Sequence, residues 1–122
     1  MLIKKSDAKV VDLGTKKILK YTSPDSRLEL NRMTIDGRHP NDPNHYIYEV
    51  GVDFMVYGIK GKGIIYVDAE RYEIGAEDAV YVPRNSKFAA EGQDFEYLTV
   101  ESPAWYPEQA FIVDSEGNNI NE

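Results

Sequence analysis

Both histidines of the chain fall in one short stretch, "GRHPNDPNHY", Gly37 to Tyr46. His39, Asp42 and His45 together supply the two imidazoles and one carboxylate that hold iron or manganese in many enzymes, and Asp53 is a further candidate carboxylate along the chain. The competing reading is a Pro- and Asn-rich loop whose polar groups are solvated or capped by its own turns. With no cysteine there is no thiolate nucleophile, cysteine metal cluster or disulfide. Nor does the sequence contain a Gly-x-Ser-x-Gly elbow, a phosphate-cradling glycine loop or a paired serine and histidine. Two further features could contact a ligand. Arg32 sits in "LELNRMTI", where Leu28, Leu30, Arg32 and Thr34 share one strand face. Enclosed by a sheet it would clamp an anion; at a rim it would be solvated. Tyr48, Tyr57 and Tyr97 carry hydroxyls on apolar bodies, which suits sugar-like ligands.

The elements that must position these residues are strands. Breakers recur at short intervals, from Pro24 through Gly37, Pro40, Pro43, Gly51, Gly61, Gly63, Gly75, Pro83, Gly92, Pro103 and Pro107 to Gly117. Between them lie "RLELNRMTI", "HYIYEV", "DFMVYGIK", "GIIYVD", "ERYEI", "AVYV" and "FEYLTV", rich in β-branched and aromatic residues. This predicts an all-β chain with little helix, a sandwich or barrel, forming one domain over residues 1–122. The charge balance, 14 basic against 21 acidic residues, lacks the clustered cations of a nucleic-acid surface. The densest basic stretch, "GTKKILK", reads as a solvated edge strand guarded by lysines. No apolar run approaches the ~20 residues needed to span a membrane. "MLIKKSDAKVV" lacks the apolar core of a secretory signal, so a cytoplasmic location is expected.

The order strand, turn, strand, hairpin, strand, turn in "VYGIKGKGIIYVDAERYEIGAEDAVYVPRNSKF" resembles the central part of a cupin, over roughly residues 45–102. Gly61 matches the family's hairpin glycine and Pro83 its second-motif proline. Asn85 stands in the following glycine slot, where Asn is a common substitute at positive φ. The resemblance implies a double-stranded β-helix, a cupin-type jelly-roll barrel, whose metal-binding members use two histidines and a glutamate from the first motif and one histidine from the second. Carried over, the glutamate slot falls on Phe54 and the second-motif histidine slot on Phe88. The paired histidines fall on Tyr48 and Val50, or on Ile47 and Glu49. The expectation is therefore a barrel without a metal or other cofactor. Its site would be a pocket floored by Phe54 and Phe88, with His45, Tyr48 and Arg32 nearer the mouth and Tyr97 as a further polar contact. A sugar or sugar acid would suit such a pocket. "PRNSKFAAEG" and "ESPAWYPEQ" also resemble segments of the sugar-acid isomerase cupins, and a structural or regulatory role without ligand is a further alternative. A homodimer is expected, because the strand over residues 53–60 is apolar on both faces while a small barrel has one inside.

Overall fold

The structure is a computed structural model and describes residues 1–120. Ten strands form one curled sheet: β1 (Lys9–Asp12), β2 (Lys16–Thr22), β3 (Glu29–His39), β4 (His45–Glu49), β5 (Asp53–Lys60), β6 (Gly63–Val67), β7 (Glu70–Ile74), β8 (Ala79–Val82), β9 (Lys87–Ser102) and β10 (Ala110–Asp114). Among the described residues helical structure is limited to two single 3-10 turns, at Lys5–Asp7 and Pro107–Gln109. No helix among the described residues is long and apolar enough to cross a membrane.

The longest strand, β9, organises the barrel. Along one edge it pairs with β3, from Glu101 opposite Glu29 to Ala90 opposite His39, and then with β4 at Phe88 and Lys87. Along the other it pairs with β5 and then β6. Its register thus fixes which side chains of four strands face inward. Two turns follow the sequence reading. Gly61 has φ 83°, and a Cβ there would stand 3.1 Å from the Asp94 carbonyl oxygen. Asn85 has φ 67°, the left-handed conformation its glycine slot requires. The "VDAERY" hairpin is also present, with Val67 opposite Glu70.

The core is the barrel interior: Ile18, Met33, Ile35, Phe54, Val56, Ile65, Val67, Ile74, Val80, Val82, Phe88, Ala90, Phe95 and Tyr97. Phe54 and Phe88 meet edge to face at 5.0 Å between ring centres. Burial of each ring is worth ~1.5–3 kcal/mol, and the contact adds to that.

One element departs from expectation. "GTKKILK" forms β2, which is no edge: it pairs with β1 on one side and β3 on the other. Its alternation places Lys16, Ile18 and Lys20 toward the barrel interior. The short β1 supplies the edge instead, so lysines read as edge guards are interior groups.

Candidate functional site

A cavity of about 650 Å³ opens inside the barrel, a size within the usual range for small-molecule sites. Its apolar side is formed by Val11, Ile18, Met33, Ile47, Phe54 and Phe88. Its polar side carries Lys16, Lys20, His39, Glu49, Thr99 and Glu101, and Trp105 and Pro107 stand in its wall beyond the end of β9. A larger depression, about 1000 Å³, is shallow and open; Arg38, Lys62, Glu73, Asp78 and Glu91 are among its walls. Arg38 there is committed to the carbonyls of Pro40, Asp42 and His45. The interior cavity is the chemically organised one.

Its polar groups form a network. Lys20 Nζ donates to Glu29 Oε1 at 2.7 Å and Thr22 Oγ1 to Glu29 Oε2 at 2.6 Å. Asn31 Nδ2 donates to Glu29, Thr99 and Glu101, and Thr99 Oγ1 donates to Glu101 Oε2 at 3.0 Å. Glu101 Oε1 is buried and takes no hydrogen bond among the described residues. Across the cavity Gln109 Nε2 donates to Glu49 Oε1 at 3.3 Å, and Gln109 Oε1 accepts from the Gly51 amide.

Burial sets the charge states. Burial, reinforced by the Glu101 charge, pushes the Glu49 carboxyl up to about 7. Burial and the neighbouring Glu29 push Glu101 up as well. Burial lowers Lys16 to about 8 against the pull of Glu101 and Glu49. Burial, with the positive Lys16 and Arg38 nearby, drops His39 to about 4, so its imidazole is neutral. For Glu29, burial is outweighed by the Lys20 and Thr22 hydrogen bonds, which hold it below the usual carboxylate range. A carboxyl poised near neutrality in the same cavity as a lysine of lowered pKa can pass protons to and from a bound ligand.

The positions expected from the sequence separate into two groups. Phe54 and Phe88 line the cavity. So do Ile47 and Glu49, which decides between the two registers for the histidine slots, since Tyr48 and Val50 fall on the alternate positions. The remaining expected site residues do not line it. Arg32 is on the outer face, bound to Glu96 at 3.0 Å. His45 pairs with Asp42 at 3.4 Å. Tyr48 alternates outward from Ile47 and Glu49. Tyr97 is fully buried in the core, stacked on Phe95 at 5.1 Å. The fallback metal set is dispersed: His39 lines the cavity, Asp42 and His45 are in the loop pair, and Asp53 holds Arg84 at 2.9 Å. Among the described residues no group of three or more His, Cys, Asp or Glu is placed to hold a metal. Of the four slots the cupin resemblance assigns to ligands, only Glu49 offers a donor, so these residues do not fit the family's metal.

Lys16, Lys20, Glu101 and Trp105 were not legible as site residues. The available signal was the Lys16–Ile18–Lys20 alternation, which matches an exposed strand equally well.

The sequence matches no protein-family model and no curated protein. Solved structures do match. Pac13 from Streptomyces, described as a nucleoside dehydratase and solved with uridine, superposes with TM-score 0.81 at 18% identity, covering 93% of this chain and 90% of that one. An RmlC-like cupin from Shewanella frigidimarina matches at TM-score 0.66 and 18% identity, covering 84% and 89%. The chain has the cupin fold. Ectoine synthase from P. lautus is a further cupin-fold match, at TM-score 0.71 and 16% identity over 93% and 90%. In this cupin-fold chain the barrel interior is where four strands deliver the organised polar groups described above.

Proposed function

We propose that this cupin binds a small sugar-like ligand, of the sugar-acid class, inside its barrel and moves protons on it through Glu49 without a metal. The observation that carries this reading is the content of the four ligand slots. Ile47, Phe54 and Phe88 make an apolar bed, and the fourth slot holds a carboxyl poised near pH 7. Aromatic faces suit the C–H face of a sugar ring, and the Thr99, Glu49 and Glu101 oxygens suit its hydroxyls. Glu29 already pairs with Lys20, and Glu49 and Glu101 are both pushed toward their neutral forms, so Lys16 is the cation whose charge an acidic ligand would balance. The uridine named for Pac13 carries a sugar, which supports the sugar-like part of this reading. Calorimetric titration of chelator-treated, untagged protein with a panel of uronates and aldonates is expected to show saturable binding unchanged by chelation. Near-stoichiometric manganese, iron, nickel or zinc in the purified protein, with binding lost on its removal, would overturn the reading.

We also infer that the outer face of the β3–β9–β5–β8 sheet pairs with a second copy of the chain. Leu30, Val100, Met55 and Tyr81 lie in register across these four strands and are 41%, 49%, 47% and 57% exposed. Tyr57 and Leu28 extend the patch, and the Arg32–Glu96 pair borders it. An uncharged centre edged by one cation and one anion is self-complementary about a two-fold axis. Light scattering at micromolar concentration is expected to give twice the chain mass, and Met55→Glu the monomer mass. A monomeric native protein would refute the pairing.

A further inference from the structure

Lys16 and Lys20 occupy the same face of one strand and have opposite fates. Lys20 Nζ is committed, at 2.7 Å from Glu29 Oε1 and 5.8 Å from the Trp105 ring centre. Lys16 is 6% exposed and lines the cavity, yet no hydrogen bond or ion pair among the described residues holds its amino group. It senses Glu101, Glu49 and Lys20 through space. A lysine buried to this degree, facing a cavity of about 650 Å³ and left without a partner, does nothing for the fold that an alkyl chain would not do better.

We propose that Lys16 is a nucleophile that forms a reversible imine with the carbonyl carbon of an open-chain sugar or 2-keto acid held in the barrel. The inference rests on the barrel being a small-molecule site and adds a covalent step to it. The ammonium first gives a proton, relayed by water in the cavity, to the Glu49 carboxylate. The free amine attacks the carbonyl carbon, the C–N bond forms, and the C=O π pair moves to oxygen, which takes the proton from Glu49. Glu49 then removes a second proton from nitrogen and delivers it to the hydroxyl, which departs as water as the C=N⁺ bond forms. The ammonium loses two protons, both leave in the water, and the iminium keeps one, so charge and atoms balance without any co-reactant. Glu49 and Glu101 line the same cavity as Lys16 and act on its charge, and His39, lowered to about 4, is too weak a base to compete for the proton. Burial favours the free amine: lowering Lys16 from 10.5 to about 8 raises its neutral fraction at pH 7 by about 300-fold over an ordinary lysine.

The test is reductive trapping on the full chain at pH 7, with glycolaldehyde, glyceraldehyde or pyruvate and cyanoborohydride, read by intact mass and peptide mapping. At limiting conversion the adduct is expected at Lys16, on the order of a hundred-fold above any other lysine, following the amine fractions above. Lys16→Arg should abolish it. Lys17→Arg, on the solvent side of the same strand, should retain it. Absence of an adduct with all three carbonyl compounds, or labelling spread evenly over the lysines, overturns the imine. Titration with a non-carbonyl aldonate separates the two claims. Binding of the aldonate with no trapping removes only the covalent step, whereas loss of both removes the ligand site as well.

Discussion

Replacing Phe88 by alanine is expected to cost about 3 to 5 kcal/mol of folding stability, the range for truncating a fully buried aromatic. Phe88 is 4% exposed and packs edge to face on Phe54. Its backbone is held between β4 and β6, opposite Ile47 and Val67, so the surroundings cannot collapse into the space the ring leaves. Because the ring also lines the cavity, the same change should weaken sugar-acid binding. Chemical denaturation of the native and variant proteins measures the first effect. A loss below about 1 kcal/mol would mean the ring is not the packed floor described here, since surface substitutions fall in that range.

The second large effect belongs to Glu49. Its carboxyl, near 4.5 in the unfolded chain, rises to about 7 in the barrel because burial and Glu101 disfavour the anion. The folded state therefore holds a proton that the unfolded chain releases between these values, and stability falls as pH rises through that window. Above it the cost is constant, up to about 3 kcal/mol for a shift of this size. Glu49→Gln removes the ionisation and keeps an acceptor for the Gln109 amide. The variant is therefore expected to match the native protein near pH 4.5, gain on it progressively to pH 7, and hold a constant advantage above. The difference between the two proteins is the quantity to follow. His39, lowered to about 4, contributes with the opposite sign between about 4 and 6.5 and masks the trend in either protein alone. A stability difference independent of pH would show that Glu49 is not a buried, coupled acid.

The barrel was legible because local rules and tertiary needs agree in its second half. Asn85 and Gly61 stand where the chain needs positive φ, and "VDAERY" closes a hairpin of its own. Phe54 and Phe88 were legible because the resemblance to the cupin motifs assigns both to inward-facing ligand slots, and both side chains are buried. At the polar wall the usual pattern inverts. On β3 the inward positions near the site are Glu29 and Asn31, while Leu30 faces out. A rule that places apolar residues inside therefore turns Arg32 toward the site and Glu29 away from it. The inversion has a physical source: the interior at this end of the barrel is a network of charges, and the exterior is an uncharged patch. For Lys16 and Lys20 the deciding fact is that β1 covers the edge of β2, a pairing that no property of "GTKKILK" announces. Glu101, and Trp105 just beyond the end of β9, enter the site because the sixteen-residue β9 pairs with β3 from Ala90 to Glu101, a non-local fact.

The central claim is that a small sugar-like molecule sits on Phe54 and Phe88 against Lys16 and Glu49. Its most direct test is chemical-shift mapping of isotope-labelled, chelator-treated protein titrated with uronates and aldonates. The account predicts saturable perturbations concentrated at Lys16, Ile47, Phe54, Phe88 and Thr99, and their loss in Phe88→Ala. Perturbations confined to the outer face around Leu30, Met55 and Tyr81, or none with any sugar acid, would contradict it.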